Sequence, residues 1–284
     1  MTDQSKTRSQ QHEIEIDAPI EAVWKALTDA EELTRWFVEK AEVTPGEGGK
    51  IWIAWDEVNQ GTQRIDVWDP GKRLVLTSLP SDCSGLTPTE GLERPIMMEY
   101  TLESRGGHTV LRMVHSYIPA SPDWDGYYDG TDYGWKNFFR GLRYYLEKQP
   151  GKHRSNIVIM WPLQTTREES WSKLTGPEGL CASGTLDPNK EGSRYSVTTS
   201  AGVHLQGEVA FTHPPKSLLL TVENLVGTLL SISIESMGGG TFLYVSIGLF
   251  GATQEEAAKT RESWTTWLRS ILPPAPPAAG EQPA

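Results

Sequence analysis

The stretch DPGKRLVL, residues 69–76, returns in the second half of the chain as HPPKSLLL, residues 213–220. Three further segments follow each copy in the same order: an alternating apolar stretch, a glycine-rich turn that leads into a strand, and a helix that carries tryptophan. They are residues 98–102, residues 106–111 and the region of Trp135 in the first half, and residues 230–234, residues 238–243 and the region of Trp264 and Trp267 in the second. A repeat of this length predicts two copies of one domain rather than a solenoid of short units.

The length of the chain also favours two domains, because 284 residues accommodate about two units of 100 to 200 residues. The polar stretch QPGK, residues 149–152, precedes the apolar run 157–160, as is typical of a linker. We therefore predict a first domain over residues 12–149 and a second over residues 150–272. Residues 1–11 and the proline- and alanine-rich tail, residues 273–284, offer little apolar surface to bury, and we expect both to be disordered.

The composition argues against several classes of function. The net charge is −11 without a basic cluster, whereas nucleic-acid phosphates demand a positive surface. No apolar stretch reaches the roughly 18 residues of a membrane span, and the N-terminus has no signal-peptide core. Cys83 and Cys181 form no CxxC pair, and the six histidines lack metal-ligand spacing. We predict a cytoplasmic protein with no nucleic-acid partner, no membrane insertion, no metal and no cofactor.

Hydrophobic periodicity predicts the elements of the first half. Residues 12–16 alternate polar and apolar side chains, as in a half-buried strand, and Asp17 is placed to cap the helix that follows. A second short helix is expected over residues 30–36, strands over 50–55, 63–68, 74–78, 96–102 and 109–116, and a long helix over 132–148. This order predicts an α+β domain in which a curved antiparallel sheet wraps around the long C-terminal helix.

The second half repeats this pattern in a shorter form. Strands are expected over residues 157–161, 193–199, 204–212, 218–223, 228–235 and 241–250, with helices over 167–174 and 254–271. The first half also contains an insertion, residues 79–95, that is rich in proline, serine and glycine and has no counterpart in the second half. A loop of that length is typical either of a lid over a binding site or of a disordered excursion.

Three separated motifs of the first half resemble those of the SRPBCC superfamily of START-like, helix-grip proteins. They are APIEAVWKALTDAEELTRWF (residues 18–37), GHT (residues 107–109) and GWKNFF (residues 134–139). Within the superfamily they look most similar to the branch related to the activator of Hsp90 ATPase. The resemblance covers about residues 12–148. It is weaker over residues 153–272, because Trp161-Pro162-Leu163 stands in place of the opening motif.

The resemblance implies a cavity between sheet and helix, and it leaves the function open. Proteins of this superfamily bind lipids, hormones or polyketides, cyclise aromatic polyketides, stimulate a chaperone ATPase, or protect antibiotic producers from enediynes by sequestration or self-sacrificial cleavage. Three hypotheses follow: a non-catalytic binder of a hydrophobic, aromatic small molecule, a polyketide cyclase-like enzyme, and an Hsp90 adaptor with a chaperone partner. The lack of a catalytic motif favours the binder. The tandem architecture counts against the Hsp90 activator, which pairs this domain with a different one.

The candidate ligand-binding residues are mostly aromatic. The chain contains 11 tryptophans, and large rings with one polar group suit a cavity that holds an aromatic ligand. Alternate residues of a strand share one face of the sheet, which selects the residues that face the helix. The predicted lining residues are Trp68, Met98, Tyr100, Trp135 and Phe139, those near the mouth are Trp36 and Phe37, and that of the second domain is Trp264. The alternative is that these side chains only fill the cores.

Other polar features allow more than one interpretation. Segment 121–132 contains four acidic and three aromatic residues, but it departs from the EF-hand pattern, which favours a solvated loop at the cavity entrance over a calcium site. His115 either contacts the cavity or is a hydrogen-bonded residue at a strand end. Asp66 and Glu99 qualify as general bases only if they are buried. We predict no catalytic residue.

Overall fold

The computed structural model of this protein describes residues 7–78, 83–84, 95–225, 227–237 and 240–276. The chain divides into two compact units between Lys152 and His153, whereas the predicted boundary follows Gln149. In each unit, a path of seven antiparallel strands accompanies a long C-terminal helix. The predicted α+β fold of two tandem helix-grip domains is therefore confirmed. Within the described residues, no helix is both long and apolar enough to span a membrane.

In the first domain, the sheet joins strands that are distant in sequence. The elements are β1 (Thr7–Ile16), α1 (Ile20–Thr28), α2 (Ala30–Trp36), β2 (Lys40–Thr44), β3 (Lys50–Ala54), β4 (Gln60–Asp69), β5 (Arg73–Ser78), β6 (Cys83–Ser84), β7 (Ile96–Arg105), β8 (His108–Pro119), a 3-10 turn (Pro122–Trp124) and α3 (Asp125–Lys148). The strand order is β1-β8-β7-β5-β4-β3-β2, with β6 paired to β4. The first and last long strands are thus neighbours.

One face of this sheet is covered, mainly by α3. The strands alternate accordingly: in β7, residues 96, 98, 100 and 102 are buried and those between them are less so, as expected of an antiparallel sheet with one face against a core. Val23 of α1 and Leu142 of α3 are completely buried. Each such side chain stabilises the fold by about 1.5–3 kcal/mol relative to leaving it exposed.

Three expectations for the first domain are wrong. β1 begins at Thr7 rather than at residue 12, because residues 7–11 pair with β8 and are not disordered. Asp17 does not cap α1, whose N-cap is Pro19. The Asp17 carboxylate lies 3.3 Å from His108 Nδ1 instead. α3 begins at Asp125 rather than at residue 132, since its tertiary contacts outweigh the low helix propensity of the glycines in its first turns.

The insertion predicted as a lid or an excursion, residues 79–95, falls largely outside the described residues. Of this segment, the structure describes Cys83 and Ser84, which form β6 against Gln60 and Gly61, and Pro95. Either interpretation of the insertion stays a prediction.

The second domain has a similar but shorter order of elements, with one helix in the place of α1 and α2. Its elements are β9 (Arg154–Leu163), α4 (Arg167–Thr175), β10 (Ser183–Thr185), β11 (Arg194–Thr198), β12 (His204–His213), β13 (Ser217–Val222), β14 (Thr228–Met237), β15 (Gly240–Phe250) and α5 (Gln254–Ile271). The strand order is β10-β11-β12-β13-β14-β15-β9, so the first and last strands are again neighbours. Capping boxes begin α4 at Thr166 and α5 at Thr253.

Part of the C-terminal tail is ordered against β9. Pro274 forms a bridge with Leu163, and the Ala275 N–H donates to the Pro162 carbonyl at 2.7 Å. The prediction of disorder is therefore wrong for residues 273–276, because these backbone groups extend the sheet edge. Residues 277–284 lie outside the described residues.

The two domains share irregularities as well as topology. A register shift interrupts the pairing of β4 with β5 at residues 65–67, and of β12 with β13 at residues 209–211. Equivalent bonds also join each copy of the repeated stretch to the next long strand: Leu102 N–H to Lys72 O at 2.9 Å, and Ile234 N–H to Lys216 O at 2.8 Å. The repeat in the sequence therefore corresponds to a repeat in backbone geometry.

Candidate functional site

A cluster of aromatic rings lies between the sheet, α2 and α3 in the first domain. At its centre, Phe37 stacks on Trp36 with ring centroids 4.9 Å apart and on Trp135 at 6.0 Å. Other pairs meet edge to face, such as Tyr100 with Trp135 at 6.3 Å, and both geometries are preferred by aromatic rings. We call the following residues the aromatic cluster: Trp36, Phe37, Trp55, Tyr100, Trp135, Phe138 and Phe139.

Helical spacing and one hydrogen bond position these rings. Trp135, Phe138 and Phe139 are three and four residues apart on α3, so they share one face of the helix. Trp36 is the last residue of α2, and its indole N–H donates to the Ala26 carbonyl at 2.9 Å. That bond fixes the ring on which Phe37 stacks.

The structure brings most of the predicted ligand-binding residues together. Those that belong to the aromatic cluster are Trp36, Phe37, Tyr100, Trp135 and Phe139. Met98 lies beside the cluster, with its Sδ 3.8 Å from the Tyr100 hydroxyl oxygen. The Trp68 ring contacts that of Trp24 of α1, with ring centroids 5.2 Å apart, and Trp68 is not a member of the cluster. Trp264 belongs to the second domain, where its ring meets that of Trp267 at 5.1 Å.

Four residues of this region carried no site prediction from the sequence: Trp55, Phe138, Gln10 and His12. Trp55 lies at the end of the predicted strand 50–55 and has the same parity as the buried Ile51 and Ile53, so strand alternation was an available signal for it. A signal for the polar pair was available, because residues 10, 12, 14 and 16 are all buried members of β1. For Gln10 this signal was lost because residues 1–11 were expected to be disordered, whereas His12 lay inside the predicted strand 12–16 and was not chosen.

His115 connects the aromatic cluster to a buried polar region. It is 2% exposed, and its Nδ1 accepts a hydrogen bond from Trp135 Nε1 at 3.3 Å. Because an indole N–H can only donate, the proton of the neutral imidazole lies on Nε2, which is 3.5 Å from the Tyr127 hydroxyl oxygen. Burial, with a smaller effect of His12, lowers the pKa of His115 to about 4. The ring is therefore neutral at pH 7.

His12 and Gln10 extend the polar region along β1. The His12 side chain is 4% exposed, and its Nε2 lies 3.7 Å from Asp132 Oδ1. That nitrogen has no hydrogen-bond partner among the described residues. Burial lowers the pKa of His12, although Asp132 opposes this shift. Gln10 Nε2 donates to the Tyr128 carbonyl oxygen, and Thr131 Oγ1 donates to Gln10 Oε1 at 3.3 Å.

A buried carboxylate anchors the C-terminal half of α3. The Tyr145 hydroxyl donates to Glu32 Oε2 at 2.5 Å, and Arg35 Nη1 donates to Glu32 Oε1 at 2.6 Å. Burial tends to raise the pKa of Glu32, but the hydrogen bonds from Tyr145 and Lys25 and the charge of Arg35 outweigh it and lower that pKa. Burial and the bond to Glu32 raise the pKa of Tyr145 to about 12. The network ties α2 to α3.

The N-terminal half of α3 is less buried than the C-terminal half, and its Tyr127 and Tyr128 pack against the buried Trp124. None of residues 125–134 is fully buried. A Cβ added at Gly126 or Gly130 would meet no atom within 4 Å. Glycine is therefore not required there for space, and it weakens the helix by about 1 kcal/mol per residue relative to alanine.

The acidic segment 121–132 is a 3-10 turn followed by the first turns of α3, not the solvated loop that was predicted. Its carboxylates form ion pairs: Asp125 with Arg8 at 2.6 Å and Asp132 with Lys136 at 2.6 Å. Across the described ranges, no group of three or more His, Cys, Asp or Glu side chains is placed to hold a metal ion.

The carboxylates considered as general bases lie outside this region. Asp66 pairs with Arg64 at 2.6 Å, and Glu99 pairs with Arg73 at 2.7 Å. Their side chains are 28% and 25% exposed, so neither meets the condition of burial.

Two open grooves of the described residues lie outside the aromatic cluster. One, of about 600 Å³, runs between α5 and residues 200–201, and the other, of about 390 Å³, lies on β2, β3 and β4. Within the aromatic cluster the rings contact one another, so we expect a molecule that enters between the sheet and α3 to separate them.

The core of the second domain is mostly aliphatic. Its buried aromatic side chains are Trp161, Trp171, Tyr195 and Trp267, and its aliphatic ones include Leu205, Leu218, Leu220, Leu230, Ile232, Ile234, Leu243, Val245 and Ile247. The three histidines of this domain, His153, His204 and His213, are all exposed. The buried imidazoles are thus a feature of the first domain.

Fold and site together define a tandem helix-grip protein whose first domain holds aromatic rings and buried histidines between sheet and helix. Residues 17–147 match the family described as Activator of Hsp90 ATPase homolog 1-like protein. The match lies within the first domain, and the resemblance found in the sequence is confirmed there. No curated protein matches the chain.

Several solved structures are similar to the chain. CalU16 from Micromonospora echinospora is 22% identical with a TM-score of 0.39, and the match covers 52% of this chain and 81% of that one. The di-domain ARO/CYC BexL from the BE-7585A biosynthetic pathway is 15% identical with a TM-score of 0.42, covering 95% and 100%. DynU16, from the dynemicin biosynthetic locus, is 17% identical with a TM-score of 0.40, covering 93% and 96%.

Proposed function

We propose that the first domain binds a hydrophobic, aromatic small molecule between its sheet and α3. The aromatic cluster is the observation that carries this proposal. The core of the second domain is mainly leucine, isoleucine and valine with four buried rings, Trp161, Trp171, Tyr195 and Trp267, whereas seven rings meet in the aromatic cluster of the first domain. A flat π ligand gains from such rings, because each stacked or edge-to-face pair adds about 0.5–1.5 kcal/mol beyond burial.

We propose that the N-terminal half of α3 moves away from the sheet when the ligand enters. Its contacts to β1 are polar, such as the Arg8–Asp125 pair and the bond from the Tyr128 hydroxyl to the Ser9 carbonyl at 3.2 Å. Water can replace such contacts when they open. The C-terminal half stays in place, because Leu142 and the Glu32–Tyr145 bond are buried.

The specific form of this function that we propose is sequestration of an aromatic natural product in the cytoplasm, through which an antibiotic producer protects itself. Sequestration needs affinity and no catalytic residue. Self-sacrificial cleavage, polyketide cyclisation and stimulation of the Hsp90 ATPase are the alternative functions.

The test is a titration of the full-length protein with tricyclic aromatic compounds and an enediyne, followed by intrinsic tryptophan fluorescence. Phe37→Leu keeps an apolar side chain but removes the central ring, and we expect it to weaken binding roughly two- to tenfold. Trp68→Leu is the matched control, since the Trp68 ring packs on Trp24, and we expect no change. Trp264→Leu tests the predicted site in the second domain.

Mass spectrometry of the same samples separates the alternatives. Saturable quenching with intact protein and intact ligand supports sequestration, whereas protein fragments indicate self-sacrifice and an altered ligand indicates an enzyme. If none of the compounds binds, the binding proposal is wrong, and stimulation of the Hsp90 ATPase becomes the function to measure.

A further inference from the structure

The two domains provide an internal comparison, residue by residue, through their sheet registers. Leu76 and Leu220 are the last leucines of the repeated stretch. Two strands further across the sheet, the pairing leads from Leu76 to His115 in the first domain and from Leu220 to Ile247 in the second. Ile247 therefore occupies the place of His115.

The neighbouring strand continues the comparison. Gln10 of β1 pairs with His115, as Ile157 of β9 pairs with Ile247. The next residues that face inward are two positions later, His12 on β1 and Ile159 on β9. We call Gln10, His12 and His115 of the first domain the polar row. Their counterparts in the second domain are, in the same order, Ile157, Ile159 and Ile247.

The fold itself does not require the polar row. The second domain forms the same strand order with isoleucine at all these positions, and each isoleucine is buried. Burying a polar group instead of an apolar one costs stability unless its hydrogen bonds are made. We therefore expect the polar row to lower the stability of the first domain relative to isoleucine, which the second domain has at the equivalent positions.

The hydrogen bonds of the polar row are incompletely made. His12 Nε2 has no hydrogen-bond partner among the described residues. His115 Nε2, which carries the proton, has only a long contact of 3.5 Å to the Tyr127 hydroxyl, at the outer limit for a hydrogen bond. Both nitrogens belong to side chains more than nine-tenths buried, on the sheet face that α3 covers.

A bulge accompanies His115 and is missing from the second domain. Gln10 pairs with His115 but Arg8 pairs with Ile118, so β8 contains one extra residue there. Within it, Tyr117 adopts a φ of 65°, which is uncommon for a residue other than glycine. The β9–β15 ladder runs through the equivalent region in continuous register. Bulges often re-aim the side chains beside a functional site.

We propose that the polar row is an anchor for an oxygen atom of the ligand. His115 Nε2–H donates a hydrogen bond to a carbonyl oxygen on an aromatic ring system that the aromatic cluster holds, and His12 Nε2 offers a second hydrogen-bonding position. The ligand class is thus narrowed to planar aromatic ketones and quinone-like compounds. This inference rests on the proposed function, because it needs the ligand to lie under α3.

The test compares 9-fluorenone with fluorene, which share a planar tricyclic skeleton and differ by one carbonyl group. We expect the wild-type protein to bind fluorenone roughly three- to tenfold more tightly, as one neutral hydrogen bond allows. In His115→Ile, which introduces the residue of the second domain, fluorenone should lose this advantage while fluorene affinity stays the same or rises. His108→Ile changes a histidine at the exposed end of the same strand and should keep the wild-type preference.

The outcomes separate this inference from the proposed function. If both compounds bind the wild-type protein equally and His115→Ile changes neither, the anchor is wrong while aromatic binding stands. If neither compound binds, the proposed function fails and the anchor fails with it. The preference of the wild-type protein decides the matter even if His115→Ile does not fold, because that comparison needs no variant.

Discussion

Acidification should destabilise the first domain through His115, and the size of the effect follows from its burial. The pKa of this imidazole is lowered from 6.5 to about 4 in the folded protein. The unfolded chain then binds the proton more readily, so the stability due to the neutral ring is complete above pH 6.5 and is lost as the pH falls toward 4. Between pH 7 and pH 5, linkage gives a loss of about 2 kcal/mol.

His115→Ile isolates this contribution. The variant lacks the titrating group, so its free energy of unfolding should fall about 2 kcal/mol less than that of the wild type over the same pH interval. The difference between the two pH dependences is the decisive quantity, because His12 and the carboxylates titrate in both proteins. At neutral pH, the difference in stability between the two proteins also contains the loss of the hydrogen bond from Trp135.

Amide hydrogen exchange of β8, followed by mass spectrometry, reports on the first domain within the full-length chain. Exchange is measured at both pH values, corrected for intrinsic rates, and converted to opening free energies. If the wild type and His115→Ile lose the same stability within about 0.5 kcal/mol, the imidazole is not held neutral and the assignment of its buried environment is wrong.

Three further predictions concern stability. Tyr145→Phe removes the hydroxyl that donates to Glu32 at 2.5 Å and accepts from the Gly151 N–H at 3.1 Å. Urea unfolding should therefore show a free energy of unfolding lower by about 1.5–3 kcal/mol. An unchanged midpoint would mean that this hydrogen-bond network makes no net contribution to stability. Gly126→Ala and Gly130→Ala should each stabilise the first domain by roughly 0.5–1 kcal/mol, because a Cβ at either position meets no atom within 4 Å, and destabilisation in thermal melts would contradict the packing described. Thr253→Ala removes the cap that accepts from the Glu256 N–H at 3.2 Å, and hydrogen exchange of the first turn of α5 should show a loss of about 1 kcal/mol; unchanged protection there would refute the cap.

Local sequence patterns were sufficient for most elements of the fold. The bounds of α2 and α5 match the predicted ranges, residues 30–36 and 254–271, and the Gly106–Gly107 turn joins β7 to β8 with φ angles of 61° and 99° that favour glycine. The patterns failed where tertiary contacts overrode them. β1 extends to Thr7 because β8 offers it a partner, and the first turns of α3 form despite two glycines.

The candidate site was predicted only in part. Aromatic residues of the inner face and of α3 could be selected by parity and helical spacing, which is why Tyr100, Trp135 and Phe139 were included. Strand alternation predicted that Trp68 faces the long helix. Its ring contacts Trp24 of α1 instead, and the position of α1 on the sheet depends on contacts between residues far apart in the sequence. His12 shares the parity of the apolar Ile14 and Ile16, so alternation indicated its face, but no local pattern predicted that β1 would continue to Gln10 or that Gln10 would pair with His115.

The sequence by itself determined that the chain repeats one α+β domain, because strand alternation, helical spacing and glycine turns are local properties that each copy shows independently. Only the tertiary structure decided that the two copies differ in chemistry. The pairing of β1 with β8, and of β9 with β15, brings together residues that lie from 78 positions (Leu163 and Thr241) to 112 positions (Thr7 and Pro119) apart in the sequence. That register sets Gln10, His12 and His115 side by side in one domain and isoleucines in the other, since long-range pairing determines which side chains share a buried face.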